Sequence, residues 1–376
     1  MILFLLLVLG GYAVMHLVVF LGIRPLLAGR RLLPALVGGG MGVMIVAPIL
    51  VRLVERWGAE FWARWLALIA FNWMGVVFVA ANLFLVLAGW RFGVRLLGHC
   101  LPSARYWVVS PRAGAWLVIV LALVAGCYGS FEARQLRVET VRLTTDKLPP
   151  GRKQLRVAQV SDLHLGLLLR EQALAPVVAR LRELRPDLLV ATGDMVDAEI
   201  NHLDGLTELW RQCSPPLGKF AVVGNHEVYA GLGQALAFLE GAGFRILRNR
   251  GVTVGGALRL IGVDDAATRS RVDEVGLLAA ERCELFTILL KHRPLPAPME
   301  PGDLQLSGHT HRGQIFPFSL LTGLLFPRQN GLTRLSGGNY LYASRGTGTW
   351  GPPMRILSPP EITLFEIVAV DHSKFP

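Results

Sequence analysis

The sequence predicts two domains of different class: an N-terminal all-α membrane domain of about four transmembrane helices, then a C-terminal α/β domain. Three observations carry this. Apolar runs long enough to cross a bilayer are confined to residues 1–131. Charge divides at the same place: residues 1–131 hold ten Arg, no Lys and only Glu55 and Glu60, and so contribute +8 of the net +11. Beyond residue 152, short apolar runs alternate with helical periodicity, and several of those runs end on Asp, Asn or His.

The spans are expected at about 1–23, 32–51, 66–90 and 113–131. The first contains one imidazole, His16, and lacks the charged start of a signal peptide, so a retained helix is expected. Trp57, Trp62, Trp65, Trp90, Trp107 and Trp116 stand at the edges of the runs, where amphipathic rings favour the interface. Arg52 to Trp65 reads as an amphipathic stretch on the membrane surface. Inside the spans, His16, Asn72 and Asn82 are expected to bond between helices. A multi-pass protein of the cell (inner) membrane is therefore expected, with the bilayer as its partner. Arg between apolar runs marks membrane-flanking loops and not a nucleic-acid surface. Seven arginines (Arg24, Arg30, Arg31, Arg91, Arg95, Arg105 and Arg112) fall in the first and third loops, against three in the second. Arginine counting leans toward the seven on the cytoplasmic side and the C-terminal domain outside, but Arg134, Arg137, Arg142 and Lys147 after the fourth span bring the other side to seven as well, so a cytoplasmic domain stays the alternative.

Residues 132–151 read as a linker with an edge strand, because Leu136, Val138, Val141 and Leu143 alternate before Pro149-Pro150-Gly151 breaks the pattern. The α/β domain is expected over 152–376. Strands are predicted at 155–160, 187–191, 220–223, 258–263, 285–290, 304–306, 340–343 and 362–368, and helices at 171–184 and 233–240. Four cysteines without a CxxC pair encode neither a zinc knuckle nor a redox dithiol.

The chemistry gathers where strands end. Asp162-Leu163-His164, Gly193-Asp194, Gly224-Asn225-His226-Glu227, a lone His292 and Gly308-His309-Thr310-His311 each follow an apolar run. Hard oxygen and borderline nitrogen ligands placed this way are how a two-metal hydrolytic site is assembled on a β-scaffold. Any one of these motifs alone reads more readily as a turn or a solvated surface; five together do not.

In this order and spacing the motifs resemble the calcineurin-like metallophosphoesterase superfamily, over about residues 152–370. Lys291-His292-Arg293-Pro294 and Gly308-His309-Thr310-His311-Arg312-Gly313-Gln314 resemble its bacterial membrane-associated branch, whose members are likened to UDP-2,3-diacylglucosamine hydrolases of lipid A synthesis. The resemblance implies a β-sandwich flanked by helices. It implies Asp162, His164 and His311 on one metal, Asn225, His292 and His309 on a second, and Asp194 bridging both. The cofactors implied are two divalent ions, with Mn the first expectation and Fe, Zn or Co the others. A hydroxide held between the metals would attack phosphorus, and His226 would protonate the leaving oxygen. Many members of the branch have Gly where this chain has Arg312, so an added guanidinium is expected to contact the phosphate.

The function so implied is a phosphodiesterase or pyrophosphohydrolase acting on a lipid-linked or nucleotide–lipid phosphate. A phosphomonoesterase, including a protein phosphatase, is the alternative within enzymes, and a non-enzymatic membrane sensor or scaffold is the alternative outside them. Glu227 is expected to be solvated or structural, with support of the metal ligands as the alternative; Asp197 is left unassigned, and Asp264-Asp265 fits none of the motifs. Residues 315–327 carry no charge and read either as core packing or as an apolar lip beside the metals.

Overall fold

A computed structural model gives the fold and describes residues 2–197, 203, 205–270, 272–300 and 302–370. Residue 1 and residues 371–376, the outer limits expected for the two domains, lie outside that set. The chain divides into two units: Met1–Phe131 with Gly351–Ile356, and Glu132–Trp350 with Leu357–Pro376.

The first unit is built from α1 (Ile2–Leu27), α2 (Leu33–Arg56), α3 (Glu60–Cys100) and α4 (Pro111–Glu132). All four are long and apolar enough to cross a membrane. A helix is the form such runs require, since in hydrocarbon every backbone polar group must be paired within the segment. At 41 residues α3 is about 60 Å long, twice the hydrocarbon thickness. Arg91 and Arg95, expected in a loop, therefore lie on this helix. The separate surface stretch expected over Arg52 to Trp65 is not formed. Its first half ends α2 and its second half opens α3, because Glu60 to Trp65 contains no Gly or Pro to break a helix.

The polar side chains differ in how they are satisfied. His16 accepts the Trp73 Nε1–H of α3 at 2.9 Å, a bond between helices. Asn72 and Asn82 instead donate back along α3 to Leu68 O (2.7 Å) and Phe78 O (2.8 Å). An amide on a helix finds the carbonyl four residues earlier without needing a second helix. Within the same unit Met354 is buried against Gly75 of α3 and Gly129 of α4.

The second unit contains two six-stranded sheets. Its strands are β1 (Arg137–Thr145), β2 (Gln154–Val160), β3 (Leu188–Ala191), β4 (Lys219–Ala221), β5 (Phe244–Ile246), β6 (Arg250–Val254), β7 (Leu258–Val263), β8 (Thr287–Lys291), β9 (Leu304–Ser307), β10 (Gly331–Arg334), β11 (Tyr340–Ala343) and β12 (Glu361–Ala369). The sheet orders are β1-β12-β2-β3-β4-β5 and β10-β11-β9-β8-β7-β6. β1, from the stretch read as a linker, is the outer strand of the first sheet and pairs in parallel with β12.

Period-two alternation explains the layering. Leu155 and Val157 of β2, Leu188 and Val190 of β3, and Phe220 of β4 meet Leu258, Leu260, Ile288, Leu290, Leu304 and Leu306 between the sheets. The intervening Ala158, Val160, Leu189 and Ala191 face α5 (Glu171–Leu184), α6 (Leu206–Arg211) and α8 (Leu232–Gly241). On the outside of the second sheet, Ile261, Val263 and Leu289 pack beneath α9 (Glu274–Ala280). Strands apolar on both faces are those buried in a layered α/β fold. Two short helices complete the unit, α7 (Asn225–Tyr229) and α10 (Phe318–Leu325).

Candidate metal centre

Two sets of parallel strands aim their carboxyl ends at one edge. β2, β3 and β4 are neighbours in one sheet, and β7, β8 and β9 in the other. The residue runs after β2, β3, β4, β8 and β9 are the five motifs singled out in the sequence. Five of the seven expected ligands have left-handed backbone: Asp162 (φ 53°), His164 (53°), Asp194 (53°), His309 (72°) and His311 (47°). Each such residue is strained by about 1–2 kcal/mol unless its surroundings hold it there. Side chains that turn inward at the cost of backbone strain are typical of functional sites.

The loops also approach more closely than side chains allow. A Cβ on Gly308 would stand 2.0 Å from Ser161 Oγ and 2.2 Å from Asp162 Oδ2, and one on Gly224 would stand 2.2 Å from Asp194 Oδ1. Glycine at these two positions lets the β9 loop meet the β2 loop, and the β4 loop meet the β3 loop.

The side chains form two adjoining clusters. In the first, His164 Nε2 and His311 Nε2 are 3.1 Å apart, and His311 Nε2 is 3.5 Å from Asp162 Oδ1. In the second, His292 Nε2 lies 3.1 Å from Asp194 Oδ2, 3.2 Å from His309 Nδ1 and 3.3 Å from Asn225 Oδ1. His292 donates its other ring N–H to Thr192 O at 2.8 Å, which aims Nε2 inward. Asp162 accepts from the His309 amide (3.0 and 3.1 Å) and from Ser161 Oγ (2.5 Å). Asp194 Oδ1 accepts from the His226 amide at 2.8 Å. Ligand atoms of Asp162, His164 and His311, and of Asp194, His292 and His309, each lie within 4.8 Å of one another. All seven expected ligands are thus brought together, six of them buried and His309 nearly so.

The electrostatics call for a cation. Burial, and then the charge of His226, holds His164 down to about 3; burial and His292 hold His309 at about 3. Both rings therefore stay neutral and offer lone pairs. Burial followed by the neighbouring Asp194 charge raises Asp162 to about 6, against the pull of His292. Burial would lower His292, but the charge and hydrogen bond of Asp194, then Asp162 and Asp265, push it up to about 10. Its proton supplies the positive charge these carboxylates require, and a divalent ion binding here displaces such protons. Buried His164 Nδ1 has no hydrogen-bond partner among the described residues. Aspartate, asparagine and imidazole without thiolate suit a borderline divalent ion.

His226 stands over the clusters, its ring 4.5 Å from that of His164. Its Nδ1 lies 3.1 Å from Asp197 Oδ1. Burial works against the charged ring, but the Asp197 bond and the Asp194 charge raise its pKa overall. Tyr229 and Trp350 flank it edge-on at 5.4 and 5.6 Å. Trp350 is held by Gln314, which accepts the Trp350 N–H and donates to its carbonyl, both at 2.9 Å. Arg312 is half-buried beside His311, and its guanidinium has no hydrogen bond or ion pair among the described residues.

Two carboxylates do more than their sequence context suggested. Glu227 is fully buried, so it is structural and not solvated. It accepts from the amides of Gly224 (2.7 Å), Asp194 (2.9 Å), Met195 (2.7 Å) and Val196 (3.4 Å), tying the β3 and β4 loops together. Its place three residues after Gly224, where a helix N-terminus takes a back-bonding Glu, was the available signal. Asp197 orients His226; nothing local in the sequence marks that pairing. Asp264 grips Arg248 (2.7 Å) just before β6, and Asp265 grips Arg293 (2.7 Å), which braces the loop after His292.

Comparisons with known proteins converge on one family. The profile described as "Calcineurin-like phosphoesterase" matches residues 155–313. An "Uncharacterized metallophosphoesterase" of Aquifex aeolicus is 41% identical, over 66% of this chain and 97% of that protein. A "Transmembrane protein with metallophosphoesterase domain" of Danio rerio is 34% identical, over 80% of this chain and 73% of its own length. A further "Uncharacterized metallophosphoesterase", from Helicobacter pylori, is 33% identical over 78% and 80%.

Proposed function

The chain belongs to the calcineurin-like phosphoesterase family, and we propose that it is a membrane-anchored hydrolase that cleaves a phosphodiester or pyrophosphate bond in a lipid-linked molecule. The reading rests on one observation: seven ligand-type side chains from five strand ends converge in two adjoining clusters, with His226 over them.

In this reading Asp162, His164 and His311 would hold one divalent ion, Asn225, His292 and His309 would hold another, and Asp194 would serve both. When bound, the ions neutralise phosphoryl oxygens and supply a water acidic enough to act as nucleophile at neutral pH. The ligand set suits Mn, Fe, Zn or Co, and Mn is our first expectation.

The protein's own groups do the rest. Asp197 accepts from Nδ1–H of His226, so the protonated ring presents Nε2–H to the leaving oxygen. The neighbouring carboxylates favour that protonated form. Arg312, whose guanidinium is not committed elsewhere among the described residues, would contact a phosphoryl oxygen. Ser161 and the His309 amide fix the Asp162 carboxylate, and Glu227 fixes the backbone of Asp194.

Four candidate spans supply the argument for a lipid-linked substrate. A site tethered to a bilayer meets a substrate confined to the same bilayer at high effective concentration. An extracytoplasmic catalytic unit, toward which the arginine count leans, would suit an envelope lipid, whereas a cytoplasmic one would suit a UDP-linked lipid.

The test uses the full chain in nanodiscs with Mn, assayed on bis-p-nitrophenyl phosphate, p-nitrophenyl phosphate and a lipid pyrophosphate. Turnover of the diester and the lipid, abolished by EDTA, is the expected result. Preference for the monoester with no lipid turnover would replace this reading with a phosphomonoesterase.

A further inference from the structure

The stretch after the last ligand motif is built inside out. Ile315 is buried, but beyond it the stretch stays out of the core: Phe318–Leu325 fold into α10, which packs against the His311–Gly313 turn. The helix turns its small and polar residues inward. Thr322 is buried and bonds back to Phe318 O at 3.1 Å, and Ser319 O accepts from Gln329 Nε2 at 3.0 Å. Its apolar side chains point out: Leu320 is 64% exposed, Leu321 49%, Leu324 80% and Leu325 68%, joined by Phe316 at 45% and Phe318 at 47%. A globular domain in water buries the apolar face of a surface helix. A contiguous exposed apolar patch marks an interaction site.

We infer that α10 and its approach form a second membrane-contacting element, a lip that inserts into the lipid surface beside the metal centre. Three observations select lipid over a protein partner. The chain already carries four candidate spans, the last of which ends at Glu132, where the catalytic unit begins. No charged residue interrupts 315–327, while exposed Arg328 and Arg334 and half-buried Arg312 stand around it in sequence. An apolar stretch bordered by cations matches a leaflet with anionic headgroups. And α10, at eight residues, is about 12 Å long, too short to span and of the right length to lie in the interface.

The consequence for the site is depth. Phe326, at the end of α10, meets the His309 ring edge-on at 5.5 Å, and His311 and Arg312 directly precede the lip. Inserting the lip therefore holds the metal centre at the level where lipid phosphates lie. The inference rests on the membrane-anchored reading of the four helices and not on hydrolysis.

The test reconstitutes the full chain in nanodiscs containing a phospholipid with a diazirine in its acyl chain. After irradiation, labelled peptides are mapped by mass spectrometry. Labels in α1–α4 and in 316–326 are expected, and labels in 316–326 should increase as phosphatidylglycerol replaces phosphatidylcholine. The variant L324S/L325S loses two Leu insertions, so labelling of this segment should drop about tenfold or more relative to α1–α4. Both positions are largely exposed, so an unchanged melting temperature is expected to accompany the loss. Labels confined to α1–α4 would overturn the inference. So would undiminished labelling of 316–326 in L324S/L325S. Because labelling does not require turnover, labels without hydrolysis would overturn the proposed function alone, and hydrolysis without labels the lip alone.

Discussion

Replacing Glu227 by Gln should loosen the metal centre without altering any ligand. The carboxylate takes two amides on each oxygen: Met195 and Val196 on Oε1, Gly224 and Asp194 on Oε2. An amide side chain must turn its NH2 toward one of these pairs, leaving two N–H donors facing a donor. The site is fully buried, so water cannot substitute. Each unsatisfied buried donor costs about 1–3 kcal/mol, which gives about 2–6 kcal/mol for the pair. Burial and the Asp194 charge already raise the Glu227 pKa, so removing its charge offsets part of this. A net loss of about 3 kcal/mol follows, which for a unit of this size lowers the melting temperature by about 6–12 °C. Because Glu227 fixes the Asp194 and Gly224 backbones, Mn affinity should also fall, by about 10–100-fold. Differential scanning calorimetry of the full chain in detergent, with a chelator-competition titration, measures both. A melting temperature within about 2 °C of wild type, with unchanged affinity, would refute the argument, since that is how a solvated Glu behaves.

Other expectations follow from the same geometry. Gly308→Ala places a methyl into Ser161 Oγ and Asp162 Oδ2, so metal content by mass spectrometry should fall while far-UV circular dichroism stays that of the wild type. His226→Ala should lower kcat by about 10²–10⁴-fold on a phosphodiester with an alkoxide leaving group. The same change should cost far less with p-nitrophenoxide, which departs without a proton; equal losses on both would remove His226 from the acid role. Asp197→Asn should shift kcat in the same direction as His226→Ala and leave metal content at the wild-type level. Stripping metal with EDTA should lower the melting temperature, since saturation at 100 times Kd contributes about 2.7 kcal/mol; an unchanged melting curve would mean that the clusters do not bind metal in the folded state.

What was legible in the sequence depended on local signal. The helix over 171–184 and the strand over 258–263 were read to the residue, because Leu174, Val177, Val178 and Leu181 repeat at helical spacing and the strand run is apolar between turns. Short strands such as β5, β6 and β10 carry too few residues to show a period. The stretch 315–327 was ambiguous for a different reason: an apolar run has the same composition whether it faces a core or a lipid surface, and only the fold shows which way it points. The length of α3 was misjudged because hydropathy ends where Arg91 begins, whereas a helix ends only where its backbone is interrupted. At the site, the ligands were visible because each lies in a compact motif. Asp197 was not, because its partner His226 is 29 residues away and meets it only through the β3–β4 neighbourhood; Glu227 showed its local bond to Gly224 but not those to the amides of Met195 and Val196, some 30 residues away.

The most direct test of the two-ion centre is a stoichiometric titration. The full chain, stripped of metal in detergent, is supplied with Mn in steps while bound metal and bis-p-nitrophenyl phosphate turnover are read on the same samples, beside Asp194→Asn. The account requires turnover to rise until two ions are bound per chain and to be absent in the variant, where the shared carboxylate is lost. Full turnover with one ion bound, or turnover that persists in EDTA, would contradict it.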